Sequence, residues 1–456
     1  MVGPVRSPYR LGRTGRAGSE VYDDGVSEGH DHPRWRALVV APVAAAQLAV
    51  AAFAASEPAL ALGVIAGLVV LAVALLAPLV LLVGAFPATF AYWRVGPATV
   101  DMSVADAFTF LGALAALPFV PWRSPTLRRL LVATAGYAVV LSITVLAHPA
   151  TRSLVEVFHR TSMVVGALLI GAAVAQLGKV RLALQAFLFT AALISVVAAL
   201  DTLAHHLQPA YPFGIQKNAA GELIVMGLVV LLAVPHRVGL GRLPTAVLST
   251  VLLVGLAASE ARGPALALVA VFALHLLRQR RRQTSSRVVR LAPLLLAASI
   301  VLIGISIVTY RDRDLNSQTQ QFNSLNSRLD TYHYAIDEVW KPHLLDGSGL
   351  KWFFAPGSPV GAPHNLVVSE LSEVGLVGLA ALVVFLVVLL RSTRRSSSDL
   401  GEAAYLVVVA RLLESMLGIF WTAGVGTFPF LVVGLMVGDE QDVDAVPPLR
   451  ITALRR

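Results

Sequence analysis

Three stretches of this chain, residues 37–55, 59–83 and 366–390, run for about the length of a bilayer crossing with almost no charge. A helix needs about 20 predominantly apolar residues to cross the hydrocarbon core. Within that core every backbone N–H and C=O must bond inside the protein, which leaves helices or closed barrels. The stretches show no strand-like alternation, so helices remain. Composition agrees: 56% of the residues are hydrophobic and 14% charged, against about a quarter charged in an ordinary soluble domain. The chain therefore reads as an all-α, polytopic integral membrane protein.

Hydropathy places spans at 37–55, 59–76, 79–95, 103–121, 126–147, 156–177, 180–203, 219–235, 244–258, 262–278, 291–310, 365–391, 403–419 and 424–438. Pro78 either separates two short spans or kinks one, so the total is 12–14 transmembrane helices. No small-residue cleavage pattern follows the first span, which is expected to stay uncleaved. Residues 1–36, rich in Gly, Arg and Ser, are expected to form a disordered cytoplasmic tail. A bundle over 37–310, a loop over 311–363, further spans over 364–438 and a second cytoplasmic tail over 439–456 complete the expected organisation.

The net charge of +9 suggests nucleic acid until it is located. It comes largely from the N-terminal tail and the run 278–290, beside apolar spans, where Lys and Arg mark the cytoplasmic side. No nucleic-acid-binding module accompanies them. Residues 122–129, 179–181, 236–242 and 391–395 fall on that same side. The loop 311–363 falls on the other, with five basic and six acidic residues. Both termini are then cytoplasmic and the loop extracytoplasmic. Cysteine is absent, which excludes disulfides, thiolate nucleophiles and Cys-ligated metals.

The loop has its own structural signals. Ser327 can cap a helix running to Trp340, with Leu329, Tyr332, Ile336 and Val339 at amphipathic spacing. The expected amphipathic helix covers 328–340, and Pro342 ends it. Such a helix would lie at the membrane surface.

His364 stands at the mouth of a span, where a neutral imidazole can accept a proton near pH 7. A plain helix-capping role accounts for it equally well. Arg160 and Lys217 border spans on the loop side, Arg262 lies in the turn Ser259-Glu-Ala-Arg-Gly263, and Arg328 opens the amphipathic helix. Cations converging on one cavity suit an anionic ligand, and the planar guanidinium fork suits phosphate oxygens. Glu370 and Glu373 share a helix face near His364. Either can orient the imidazole, or be a carboxylate bonded between helices. Gly375 and Gly378 read as close-packing positions. No histidine spacing indicates a metal site, and no cofactor is expected.

Four segments, in order and spacing, resemble the O-antigen ligase and polymerase superfamily of bacterial envelopes. They are Gly214-Ile-Gln-Lys-Asn-Ala-Ala-Gly221, the Ser259-Glu-Ala-Arg-Gly263 turn, residues 328–349, and His364-Asn365 followed by Glu373, Gly375 and Gly378. Two departures are Lys217, where the family often has a neutral residue, and Ser-Glu-Ala-Arg in place of a plain Ser-Arg. The resemblance implies a metal-independent glycosyltransferase of the bacterial cytoplasmic membrane, with its site on the extracytoplasmic face. Its donor would be a glycan on undecaprenyl diphosphate and its acceptor a hydroxyl of a glycan or lipid. On that reading Arg262, Arg160, Arg328 and Lys217 hold the diphosphate, and His364 orients or deprotonates the acceptor. Asn218, Asn365 and Glu373 support them, and single displacement inverts the anomeric carbon. A multi-pass transporter of an anionic solute and a non-catalytic membrane scaffold or sensor are the competing classes. A transporter would place its polar groups in broken helices near mid-membrane.

Overall fold

The computed structural model describes residues 76–95, 102–205, 208–281, 324–355 and 358–444, all within the compact unit Val69–Arg456. The spans expected at 37–55 and 291–310, most of 59–76, and the N-terminal tail lie outside these residues.

The described chain is helical apart from one two-residue ladder, β1 Arg94–Val95 against β2 Met102–Ser103. The helices are α1 Pro78–Ala88, α2 Val104–Ala116, α3 Pro125–Ala147, α4 Thr151–Gln176, α5 Val180–Ala204 and α6 Lys217–Ala233. They continue with α7 Arg242–Ser259, α8 Arg262–Arg281, α9 Ser324–Tyr334, α10 Leu366–Arg395, α11 Asp399–Ser415 and α12 Thr427–Asp444. Among the described residues α3, α4, α5, α7 and α10 are long and apolar enough to cross a membrane. On α3, Val132, Val139, Ile143 and Leu146 are all exposed, an apolar face that suits lipid.

Local chemistry sets the starts. Ser103 and Asp106 form a capping box for α2, and Ser124 caps α3 ahead of Pro125. Pro78 opens α1 after a non-helical Ala77, so it begins a helix and does not kink one. The most extensive helix pair is α4 with α12, brought close by Gly171 facing Gly434.

The bundle has two chemically distinct ends. At one, Arg237 reaches Asp439 at 2.9 Å, Arg278 reaches Glu402 at 3.5 Å and Arg181 donates to the Gly239 carbonyl. These are the basic segments that charge placed on a common side. At the other end the C-termini of α3, α5, α7 and α11 meet the N-termini of α4, α6, α8 and α10, together with α9 and the turns after it.

Two expected elements differ. The loop helix starts at Ser324, which leaves Ser327 inside it, and past Tyr334 it widens into a π-turn over Ala335–Trp340. Ala335 and Val339 pack there against Phe353. The span 365–391 is not one unbroken helix either. Gly375 has φ 67° and ψ −167°, a conformation essentially confined to glycine. The interruption is closed by the turn at 344–349. Leu376 and Val377 donate to the carbonyls of Leu344 and Leu345 at 2.9 and 3.2 Å, and Ser348 and Gly349 donate to those of Ser372 and Glu373 at 2.8 and 3.0 Å. Backbone that leaves the helix beside lipid needs protein partners, and this turn supplies them.

Candidate functional site

The loop end holds two charged groups. The deeper one surrounds Arg160. Hydropathy placed this residue at the edge of a span, but α4 begins nine residues earlier, at Thr151, and Arg160 is 3% exposed in its third turn. The helix extends this far because the charges on it are paired. Arg160 Nε donates to Glu156 at 2.7 Å, Nη1 to Glu370 at 2.7 Å and Nη2 to Glu373 at 2.6 Å. Its guanidinium lies 5.1 Å from the Trp421 ring centre, and the Trp421 indole N–H donates to Glu370 at 2.6 Å. Tyr137 O–H also donates to Glu370, and its ring stacks on Trp421. Glu156 continues the chain to His159 at 3.2 Å, and His159 to Asp106 at 3.0 Å.

Lys351 joins from the loop. Its backbone N–H donates to Glu373 at 3.1 Å and its ammonium stands 3.5 Å from Glu156. A pocket opens beside this cluster, with Glu156, Arg160, Lys351 and Glu373 on one wall and Phe420 and Trp421 on another. Asn365 also lines it. Asn365 caps α10 by accepting from Val367 and Val368, and it ties that cap to the Met416 carbonyl at 3.2 Å.

The second group is cationic. Lys217 begins α6 and Arg262 begins α8, while Arg328 sits in α9, where its Nη1 donates to the Leu417 carbonyl at 3.1 Å. Lys217 has Glu260, Arg262 and Arg328 as charged neighbours, and partial burial with the two arginines pulls its ammonium below the usual lysine range. Arg328 is also a neighbour of His364. The His364 imidazole is held below its ordinary value first by burial and then by that arginine, so it is neutral at pH 7. Its carbonyl accepts from Tyr332 O–H at 3.0 Å.

The turn carrying Arg262 is seated by a close approach. Glu260 adopts φ 51°, and Ser259 Oγ accepts from the Ala261 N–H. A Cβ on Gly221 of α6 would lie 2.6 Å from Ala261 Cβ, so only glycine admits the turn here.

The structure thus gathers Lys217, Arg262, Arg328 and His364 in one group. Arg160 and Glu373 stand in the other, with Asn365 on the pocket between α10 and the 416–421 segment. Asn218 is half-buried in the first turn of α6. Neither Glu370 nor Glu373 orients His364; both turn to Arg160 between helices. Arg160 already serves three carboxylates, so an incoming phosphate would have to displace one. Sequence reasoning missed Lys351, Glu156 and Trp421. Glu156, His159 and Arg160, at i, i+3 and i+4 in an apolar segment, carried a usable signal, because ionisable groups within a span are functional candidates by default.

Elsewhere Arg411, 1% exposed, bonds Glu222 at 2.8 Å and the carbonyls of Ile419 and Phe420. It thereby pins the strand of chain whose next residue is Trp421.

Residues 245–383 match a family model described as O-antigen ligase. No curated protein matches the chain. The matched span contains Arg262, Arg328, His364 and Glu373. At superfamily level the match supports an O-antigen ligase/polymerase-like membrane protein.

Proposed function

We propose that this O-antigen ligase-like chain is a membrane glycosyltransferase that moves a glycan from undecaprenyl diphosphate to an acceptor hydroxyl, in envelope or exopolysaccharide biosynthesis. One observation carries the reading. Lys217, Arg262 and Arg328 come from three separate elements and crowd together with Glu260 as the acidic neighbour of Lys217. Like charges held close in a partly buried place repel, and a bound anion relieves that repulsion. Guanidinium forks match phosphate oxygens.

The chemistry follows from the groups present. The acceptor oxygen attacks the anomeric carbon, and the bond from that carbon to the diphosphate breaks. The departing electron pair builds negative charge on the diphosphate, where Arg262, Arg328 and Lys217 stabilise it. The acceptor proton passes to neutral His364. A single displacement inverts the anomeric centre, and none of these steps calls on a metal. The pocket is lined by Asn365, the residue after His364, and by Lys351 and Glu373, and it is where the acceptor would enter. With the basic end of the bundle cytoplasmic, the site faces the extracytoplasmic side.

The interruption at Gly375 is a feature that broken-helix transporters share. Here the backbone groups beside it are taken by the 344–349 turn, not presented to a solute. The test is incubation of purified protein with a lipid-diphosphate glycan, scoring release of diphosphate lipid with and without acceptor. His364→Ala is expected to lose transfer by about 100-fold or more while still binding donor. Full activity in that variant would remove His364 from the mechanism. Anion uptake into proteoliposomes without diphosphate-lipid release would replace the reading by the transporter one.

A further inference from the structure

A third cluster, on the turn that packs against Glu373, brings together ligand-type side chains that the transferase reading leaves unused. His148 ends α3, where its backbone N–H donates to Thr144 at 2.9 Å. His343 and Asp346 lie in the turns that follow α9. His148 Nε2 stands 3.0 Å from Asp346 Oδ2, and the His343 ring meets the His148 ring edge-on, with centroids 5.2 Å apart. One ligand atom from each of the three falls within 4.8 Å of the others, which is true of no other such trio among the described residues. His159 makes an instructive contrast. It also touches two carboxylates, but through opposite ring nitrogens, so those partners cannot share one ion.

We propose that His148, His343 and Asp346 form a binding site for a divalent first-row transition ion of the Zn²⁺ class. Two imidazoles and one carboxylate are a borderline ligand set that favours such ions over Mg²⁺ or Ca²⁺, which prefer all-oxygen shells. In a tetrahedral Zn²⁺ site with bonds of about 2.0–2.1 Å, neighbouring ligand atoms stand about 3.3 Å apart. The His148–Asp346 separation is already close to that, and His343, whose ligand atom lies within 4.8 Å of both, would have to move inward on binding. Water completes the fourth position.

The ligands are carried by anchored backbone. His148 is fixed by the end of α3. Asp346 belongs to the turn whose neighbours bond both sides of the interruption at Gly375. As a solvent-accessible hydrogen-bonded pair, His148–Asp346 alone contributes little. An ion bridging all three would clasp the end of α3 to the loop, and through the Gly349–Glu373 backbone bond would hold Glu373 in place. The ion's role is structural, and the proposal does not depend on the transferase reading.

The test titrates Zn²⁺ alone, against a competing chelating dye, into untagged full-length protein in detergent. Co²⁺ absorption reports the ligand set. The chain has no cysteine, so thiolate bands cannot intrude. The expected result is one equivalent bound with a rise in melting temperature, weakened at least about tenfold in H343A and in D346N. Both variants change half-buried turn residues, so folding is expected to survive, and melting without Zn²⁺ checks it. A variant with His30, His32, His205 and His206 all changed to alanine is expected to bind normally. Binding that persists in H343A and D346N, binding lost in the four-histidine variant, or no binding by wild type would each overturn the proposal.

Discussion

The cluster around Arg160 and the group of Lys217, Arg262 and Arg328 occupy the same end of the bundle but are built on opposite electrostatic terms. Around Arg160 each cation has a carboxylate partner, Arg160 and its three carboxylates are buried, and Tyr137 and Trp421 pack against them. Around Lys217, cations outnumber acids and the side chains are half-buried. A buried, fully paired cluster fixes where helices sit. A half-buried, predominantly cationic one can take an anion as a further partner. The difference teaches that an arginine near a membrane site is classified by what already surrounds it and not by its proximity to the site.

The sharpest break of this comparison is Arg160→Ala. It strands Glu156, Glu370 and Glu373 without their shared cation, and removing one partner of a buried pair costs about 3–5 kcal/mol. The loss is read as a fall in thermal stability or in the yield of monodisperse protein in detergent. Arg262→Ala is expected to do the reverse, leaving the melting curve close to wild type while transfer falls about 100-fold. If Arg160→Ala melts normally, or Arg262→Ala unfolds, the division between the two groups fails.

The smallest expected effect sharpens the second group. His364 is held below its ordinary value of about 6.5 by burial and by Arg328. A base must be neutral to act, so transfer is expected to fall with acid only below about pH 6.5. Because Arg328 lowers the value by repelling the protonated form, Arg328→Ala is expected to move the acid limb upward in pH. A limb unmoved by that substitution would dissociate Arg328 from His364.

Much of the fold was legible because hydropathy reports directly on burial in lipid, and α3 and α5 fall within a residue or so of where it puts them. The start of α4 was not legible. Glu156, His159 and Arg160 look like interfacial charges until their partners, Glu370 and Glu373 among them, are brought in from more than 200 residues away. The interruption of α10 was hidden for another reason. A glycine in an apolar run indicates close packing and a positive φ equally well, and nothing local distinguishes them. Motif order and spacing singled out Lys217, Arg262, Arg328 and His364 as candidates, but they put Arg160 among them and could not say which of them meet, because they lie on separate elements. Lys351 and Trp421 were not singled out, since each reaches the pocket through a contact distant in sequence. The same distance, 198 residues between His148 and Asp346, hid the possible metal ligands from any spacing rule.

The closure of α10 by the 344–349 turn has a consequence for biogenesis. That turn precedes α10 in the chain, so it is synthesised before the helix it completes. Until the two dock, the backbone groups of 372–377 that the turn serves can close only on α10 itself, and the interruption at Gly375 cannot form beside bare hydrocarbon. Insertion of α10 and docking of the turn are thus a coupled event. A chain shortened through the turn would fail at assembly in the membrane, before any question of catalysis arose.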